Sequence, residues 1–169
     1  MNKTLKLVLF LAIVSAISGI SIGAVNQFTE PVINENAIAA EKKNLEVIYP
    51  GGNFTTIDYA DSEGVVIGAY KVESEGYIFK ATATGYNSST PIIVLIGMDN
   101  DGTITNIVDL QQAETSGIGS HCFEEDNIKS LYVGKTVDEE PDMYTGATFT
   151  SAAMKTMIIK AQEAYGKVK

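Results

Sequence analysis

From Leu7 to Val25 the chain carries no charged residue. At about 1.5 Å rise per residue, a helix over that run approaches the roughly 30 Å of a bilayer's hydrocarbon core. The run reads as a single transmembrane helix. Lys3 and Lys6 precede it, whereas the residues that follow bring Glu30 and Glu35 and no Lys or Arg as far as Glu35. The positive-inside rule then leaves the N-terminus in the cytoplasm and the bulk of the chain outside the cell membrane. A cleaved signal peptide is the alternative, since Ser15, Ser18, Gly19 and Ser21 lie in the run. Against it, the run is longer than the roughly 7 to 15 residues of a signal core, and the nearest small-residue site, Ala37 to Ala40, lies well beyond its end.

What remains of the 169 residues is enough for one compact extramembrane domain. The expected organisation is an anchor over 1–26, a stalk helix over 27–48 and an extracytoplasmic domain over 49–169. A formal net charge of -9, with 12 Lys and Arg scattered along the chain, argues against nucleic acid as a partner, because phosphate backbones are held by clustered cations. Cys122 is the only cysteine and His121 the only histidine. The chain therefore cannot form an internal disulfide or a Cys/His cluster for zinc or iron-sulfur, and no metal site is expected.

Thr29 to Val47 reads as helical, with Pro31 suited to a first turn and Ile33, Ile38, Ala39 and Leu45 at loosely helical spacing. Pro50-Gly51-Gly52 breaks that pattern. Four β-type runs follow, Val65 to Val72, Tyr77 to Thr84, Ile92 to Met98 and Thr103 to Leu110, each bounded by Gly, Asp, Asn or Ser. Their close spacing implies mainly antiparallel pairing. Between the last two, Asp99-Asn100-Asp101-Gly102 supplies hairpin-turn residues. A calcium loop is the other reading of that tetrad, but the third acidic position and the distal Glu are missing. A short helix over Phe123 to Tyr132 and a final helix from near Ser151, with Met154, Met157, Ile158, Ala161 and Tyr165 on one face, complete the pattern. The predicted class is α+β: one N-terminal transmembrane helix, then a mainly antiparallel sheet packed with helices.

Directly before the final helix stands Asp142-Met143-Tyr144-Thr145-Gly146-Ala147-Thr148-Phe149-Thr150-Ser151. The first N–H groups of a helix have no internal acceptor and carry partial positive charge, so small residues there favour an anion such as phosphate. The bland alternative is that Thr148, Thr150 or Ser151 merely caps the helix. Upstream, Glu114-Thr115-Ser116-Gly117-Ile118-Gly119 reads by itself as a glycine turn.

Thr145-Gly146-Ala147-Thr148-Phe149-Thr150 resembles the Ser/Thr-Gly-Ala-Thr-x-Ser/Thr motif of the FMN-binding domains of the RnfG and NqrC family. Glu114 to Gly119 is similar to the Glu-Thr-Pro-Gly-Leu-Gly segment of the same family, with Ser116 where proline is usual, a change that should loosen the turn while keeping both glycines. The resemblance extends from Val25-Asn26 through Gly85-Tyr86 and Asp101-Gly102-Thr103-Ile104 to the last helix.

The resemblance implies flavin mononucleotide (FMN) joined by its phosphate to the Oγ of Thr150, attached by a flavin transferase that uses flavin adenine dinucleotide as donor and reads Asp142. Thr145, Gly146, Ala147 and Thr148, with Glu114, Thr115, Gly117 and Gly119, would line the flavin site. It further implies a redox carrier rather than a stand-alone enzyme, working with the other components of an Rnf-type membrane complex that couples ferredoxin and NAD to ion transport. Alternatives are a module of another extracytoplasmic electron-transfer chain or of the sodium-pumping NADH-quinone reductase, and an anchored non-redox binding domain. His121 and Cys122 also raise a nucleophile reading, although neighbours in sequence rarely face each other. Tyr144 and Phe149 flank the motif and either touch the flavin or pack on the sheet.

Overall fold

The computed structural model describes residues 3–59 and 61–169, with the side chains of all of these except 4 and 22–39. The chain forms two compact units, Met1–Lys42 and Lys43–Lys169. Helix α1, Lys3–Ile48, runs through the boundary. The helix expected to begin at Thr29 is thus not a separate element. Neither glycine nor proline stands between Val25 and Thr29, so nothing in that stretch ends the preceding helix. Of the stalk's expected apolar positions, Ile33, Ile38 and Ala39 lie outside the described side chains, and Leu45 is buried.

In the first unit, Leu7, Phe10, Leu11 and Ile20 are exposed. Among the described residues no helix is long and apolar enough to cross a membrane. The expected anchor falls only partly within them, since the run continues to Val25 and its side chains beyond Ser21 lie outside the described residues.

The second unit is built on a five-stranded antiparallel meander in the order β1-β2-β3-β4-β5. Its strands are β1 Phe54–Ile57, β2 Val66–Val72, β3 Gly76–Ala83, β4 Ile92–Asp99 and β5 Ile104–Gln111. The last four start and end within one residue of the runs read from the sequence; β1, a short edge strand, went unnoticed there. A 3-10 helix at Gly119–Phe123, α2 at Glu125–Leu131 and α3 at Thr148–Val168 follow.

Alternation along the strands sorts side chains between two faces. Tyr77, Phe79 and Ala81 of β3 and Ile92, Val94, Ile96 and Met98 of β4 form the larger core with Met154, Met157, Ile158 and Ala161 of α3. Ile78 and Leu95 point the other way and meet Leu45 and Ile48, the last turn of α1, with Tyr70 and Val72 of β2. Gly97 makes that second contact possible, because a Cβ there would stand 2.4 Å from Ile48 Cγ2. Ile104 and Ile107, three apart on β5, share the larger core. Strict alternation forbids this, and a register shift beside Gly97 and Met98 that passes over Thr105 permits it.

The β4–β5 turn is a hairpin, with Gly102 at φ +87°. Asp99 Oδ1 accepts N–H groups from Asp101 at 2.9 Å and Thr103 at 2.8 Å, so this carboxylate serves its own turn.

Candidate functional site

Two loops that are far apart in sequence meet at the N-terminus of α3. One is the segment after β5, from Glu114 to Gly119; the other is the turn Gly146–Ala147 leading into α3. Together with Tyr86, from the loop after β3, they enclose a cleft of about 390 Å³ lined by Tyr86, Glu114, Thr115, Ile118, Gly119 and residues 146–150. That size falls in the roughly 300–1,000 Å³ range of small-molecule sites.

Glu114 ties the loops together. It is buried, and its Oε2 and Oε1 accept the backbone N–H groups of Tyr86 and Asn87, both at 3.1 Å. The Thr150 hydroxyl donates to Oε2 as well. The Asn87 side chain adds a bond to the Ala113 carbonyl at 2.8 Å, holding the two loops in register. Gly85 and Gly119 make room for the carboxylate: a Cβ on Gly85 would stand 2.6 Å from Glu114 Oε1, and one on Gly119 would stand 2.8 Å from Thr150 Oγ1 and 2.9 Å from Glu114 Oε2. Glycine is needed at both positions for close approach, not for an unusual backbone angle.

Thr150 is 1% exposed and lies in the first turn of α3, which carries no side-chain cap and no acidic residue. Ser151 is committed elsewhere, since its hydroxyl accepts the Tyr144 N–H at 2.5 Å. The helix-cap reading of the hydroxyl cluster therefore does not describe this turn. The first turn of α3 thus lines the cleft with no acidic residue of its own, and the positive end of a helix favours an anionic ligand.

The structure brings together most of the residues singled out from the sequence. Glu114, Thr115, Gly119, Gly146, Ala147, Thr148 and Thr150 line the cleft, whereas Thr145 and Gly117 do not. Gly117 has φ +74° and shapes the turn, its N–H donating to Ser120 Oγ at 3.0 Å. Tyr86 and Ile118 were missed as lining residues, and Phe149 is settled: it is 70% exposed at the cleft, not packed on the sheet. Its ring centroid lies 6.1 Å from that of Tyr86. The signal for Tyr86 was its place beside Gly85, whose role depends on a carboxylate 29 positions later.

The nucleophile reading of His121 and Cys122 fails on geometry. His121 pairs with Glu124 on the surface. Cys122 is buried, and burial, with Glu114 nearby, pushes its thiol up to about 11, the reverse of what an activated thiolate needs. Asp142 is exposed and pairs with Lys135 at 3.2 Å.

No curated protein matches the chain. Residues 85–163 match the family model of the FMN-binding domain, a stretch that takes in β4, β5, α2, most of α3 and every residue lining the cleft. That stretch of the chain is similar to FMN-binding domains.

Proposed function

We propose that the protein is a membrane-anchored electron carrier that holds FMN on Thr150 through a phosphoester. The observation that carries this reading is the placement of the Thr150 hydroxyl. It sits at the floor of the cleft, bound to a buried carboxylate and unused as a helix cap.

The residues present fit such a group. The open first turn of α3 and Thr148 suit a phosphate, and Gly119 leaves space beside the Thr150 oxygen. The exposed rim of Tyr86, Ile118 and Phe149 offers apolar surface for a flat ring. When bound, a flavin supplies one- and two-electron chemistry that no side chain offers. The chain's part is to hold it at a mouth open to redox partners.

The anchor is supported by the uncharged run from Leu7 and by the exposure of its described apolar side chains, with Lys3 and Lys6 on the cytoplasmic side. Deleting 1–26 should move the protein from the membrane fraction to the soluble one. The order of anchor, sheet, Glu114 to Gly119 and Thr145 to Thr150 favours an Rnf-type complex, whose other membrane components would be the partners and supply the ion route.

The test is flavin fluorescence of the denatured band, with intact mass, for wild type and Thr150→Ala, each co-expressed with a flavin transferase. An FMN-sized adduct on wild type and none on the variant is the expected result. No adduct on either, with a transferase active on a control target, overturns the reading.

A further inference from the structure

The Glu114–Thr150 contact is more than a structural tie between two loops. A threonine hydroxyl is a weak nucleophile at its ordinary protonation, and one route to activating it is a base within hydrogen-bond reach that is itself held in orientation. Glu114 meets that geometry. Thr150 donates its hydroxyl proton to Oε2, and the carboxylate is fixed in turn by the backbone N–H groups of Tyr86 and Asn87 at 3.1 Å. With its proton directed at Glu114, the Thr150 oxygen keeps its lone pairs for the cleft. Beside it lies the space that a side chain at Gly119 would fill. Thr150 and Glu114 are both buried, so bulk water competes little for the proton.

We infer that Glu114 orients the Thr150 hydroxyl and accepts its proton as the flavin phosphoester forms. The inference rests on the reading of Thr150 as the attachment point. In the balanced step, Thr150 Oγ forms a bond to the flavin-side phosphorus of a flavin dinucleotide. The bridging P–O bond breaks, adenylate leaves with the bridging oxygen, and the hydroxyl proton passes to Glu114 Oε2. No electron is transferred. The protonated carboxyl then stands beside the new phosphodiester without like-charge repulsion and can donate to it. The titratable group facing Glu114 from the 3-10 helix is Cys122, whose thiol stays neutral until well above physiological pH. It therefore places no second charge in the pair.

The experiment measures the rate of adduct formation by intact mass on purified, folded protein, with one transferase preparation and flavin dinucleotide, for wild type and Glu114→Gln across pH. Taking the ratio of the two rates at each pH cancels the transferase's own titration. Glutamine keeps the shape and one oxygen, which serves one of the two backbone donors, but cannot take the proton. The expected ratio is about 10²-fold near pH 8, shrinking in acid because a carboxyl that already holds a proton cannot take another. Equal rates at every pH, or a large ratio that does not vary with pH, overturn the inference and leave Glu114 a structural tie while the Thr150 reading stands. Absence of adduct on wild type sinks both. If Glu114→Gln does not fold, Gly119→Ala decides, because its methyl would wedge 2.8 Å from Thr150 Oγ1 and 2.9 Å from Glu114 Oε2. A wild-type rate in that variant overturns the inference.

Discussion

Asp99 and Glu114 do the same elementary job in two parts of the sheet, each accepting two backbone N–H groups near a glycine. Asp99 takes its donors from residues two and four ahead of it, at the exposed tip of the β4–β5 hairpin. Glu114 takes them from Tyr86 and Asn87, 28 and 27 residues behind, and adds the hydroxyl of Thr150, 36 ahead. The first carboxylate completes a turn that water could also serve. The second is buried, so water replaces it poorly as an acceptor for its donors. A local polar group shapes the chain, whereas a buried one drawn from three distant segments both binds the fold together and builds a site.

That contrast can be broken by measurement. Glu114→Ala strands two N–H groups and a buried hydroxyl, and should lower unfolding free energy by roughly 2–4 kcal/mol in urea titrations. Asp99→Ala should cost about 1 kcal/mol or less, because its donors turn to solvent. Equal losses would mean the burial of Glu114 counts for nothing. Gly119→Ala, which forces a methyl onto both Thr150 and Glu114, should cost about 1–3 kcal/mol and abolish FMN uptake, read from flavin fluorescence.

Cys122, packed near Glu114, gives an effect that depends on pH. Its folded-state value of about 11 lies above the 9.0 of an unperturbed thiol. The unfolded chain therefore loses this proton first, and the stability that the neutral thiol contributes is complete below about pH 9 and lost as pH rises toward 11. Thermal melts between those limits should fall more steeply for wild type than for Cys122→Ser. The smallest change is expected for Phe149→Ala. Its exposed ring should leave stability within about 0.5 kcal/mol, and any effect should appear in the absorbance and fluorescence of the attached flavin in the native protein.

The sequence already carried whatever is local. Strands β2 to β5 were legible because side-chain alternation and turn residues act over a few positions, and the Asp99 hairpin because its donors lie within four. The apolar face of α3 and the glycine-hydroxyl turn before it were visible for the same reason. The short edge strand β1 was not, since Phe54–Ile57 is only half-buried at its ends and pairs on one side alone. The continuous α1 was split in reading because Pro31 is a start signal by propensity, while the backbone passes through it.

What the chain by itself determined is the kind of site: a hydroxyl and small residues at a helix N-terminus, and a second glycine turn bearing a carboxylate. Only the tertiary structure decided that Glu114 and Thr150 bond, that Tyr86 and Phe149 share the cleft's rim, and that Gly117 stays outside it. Propensity and patterning reach a few residues along the chain, whereas pairing across 36 positions is fixed only when β3, β4 and α3 pack and exclude water from the groups they enclose.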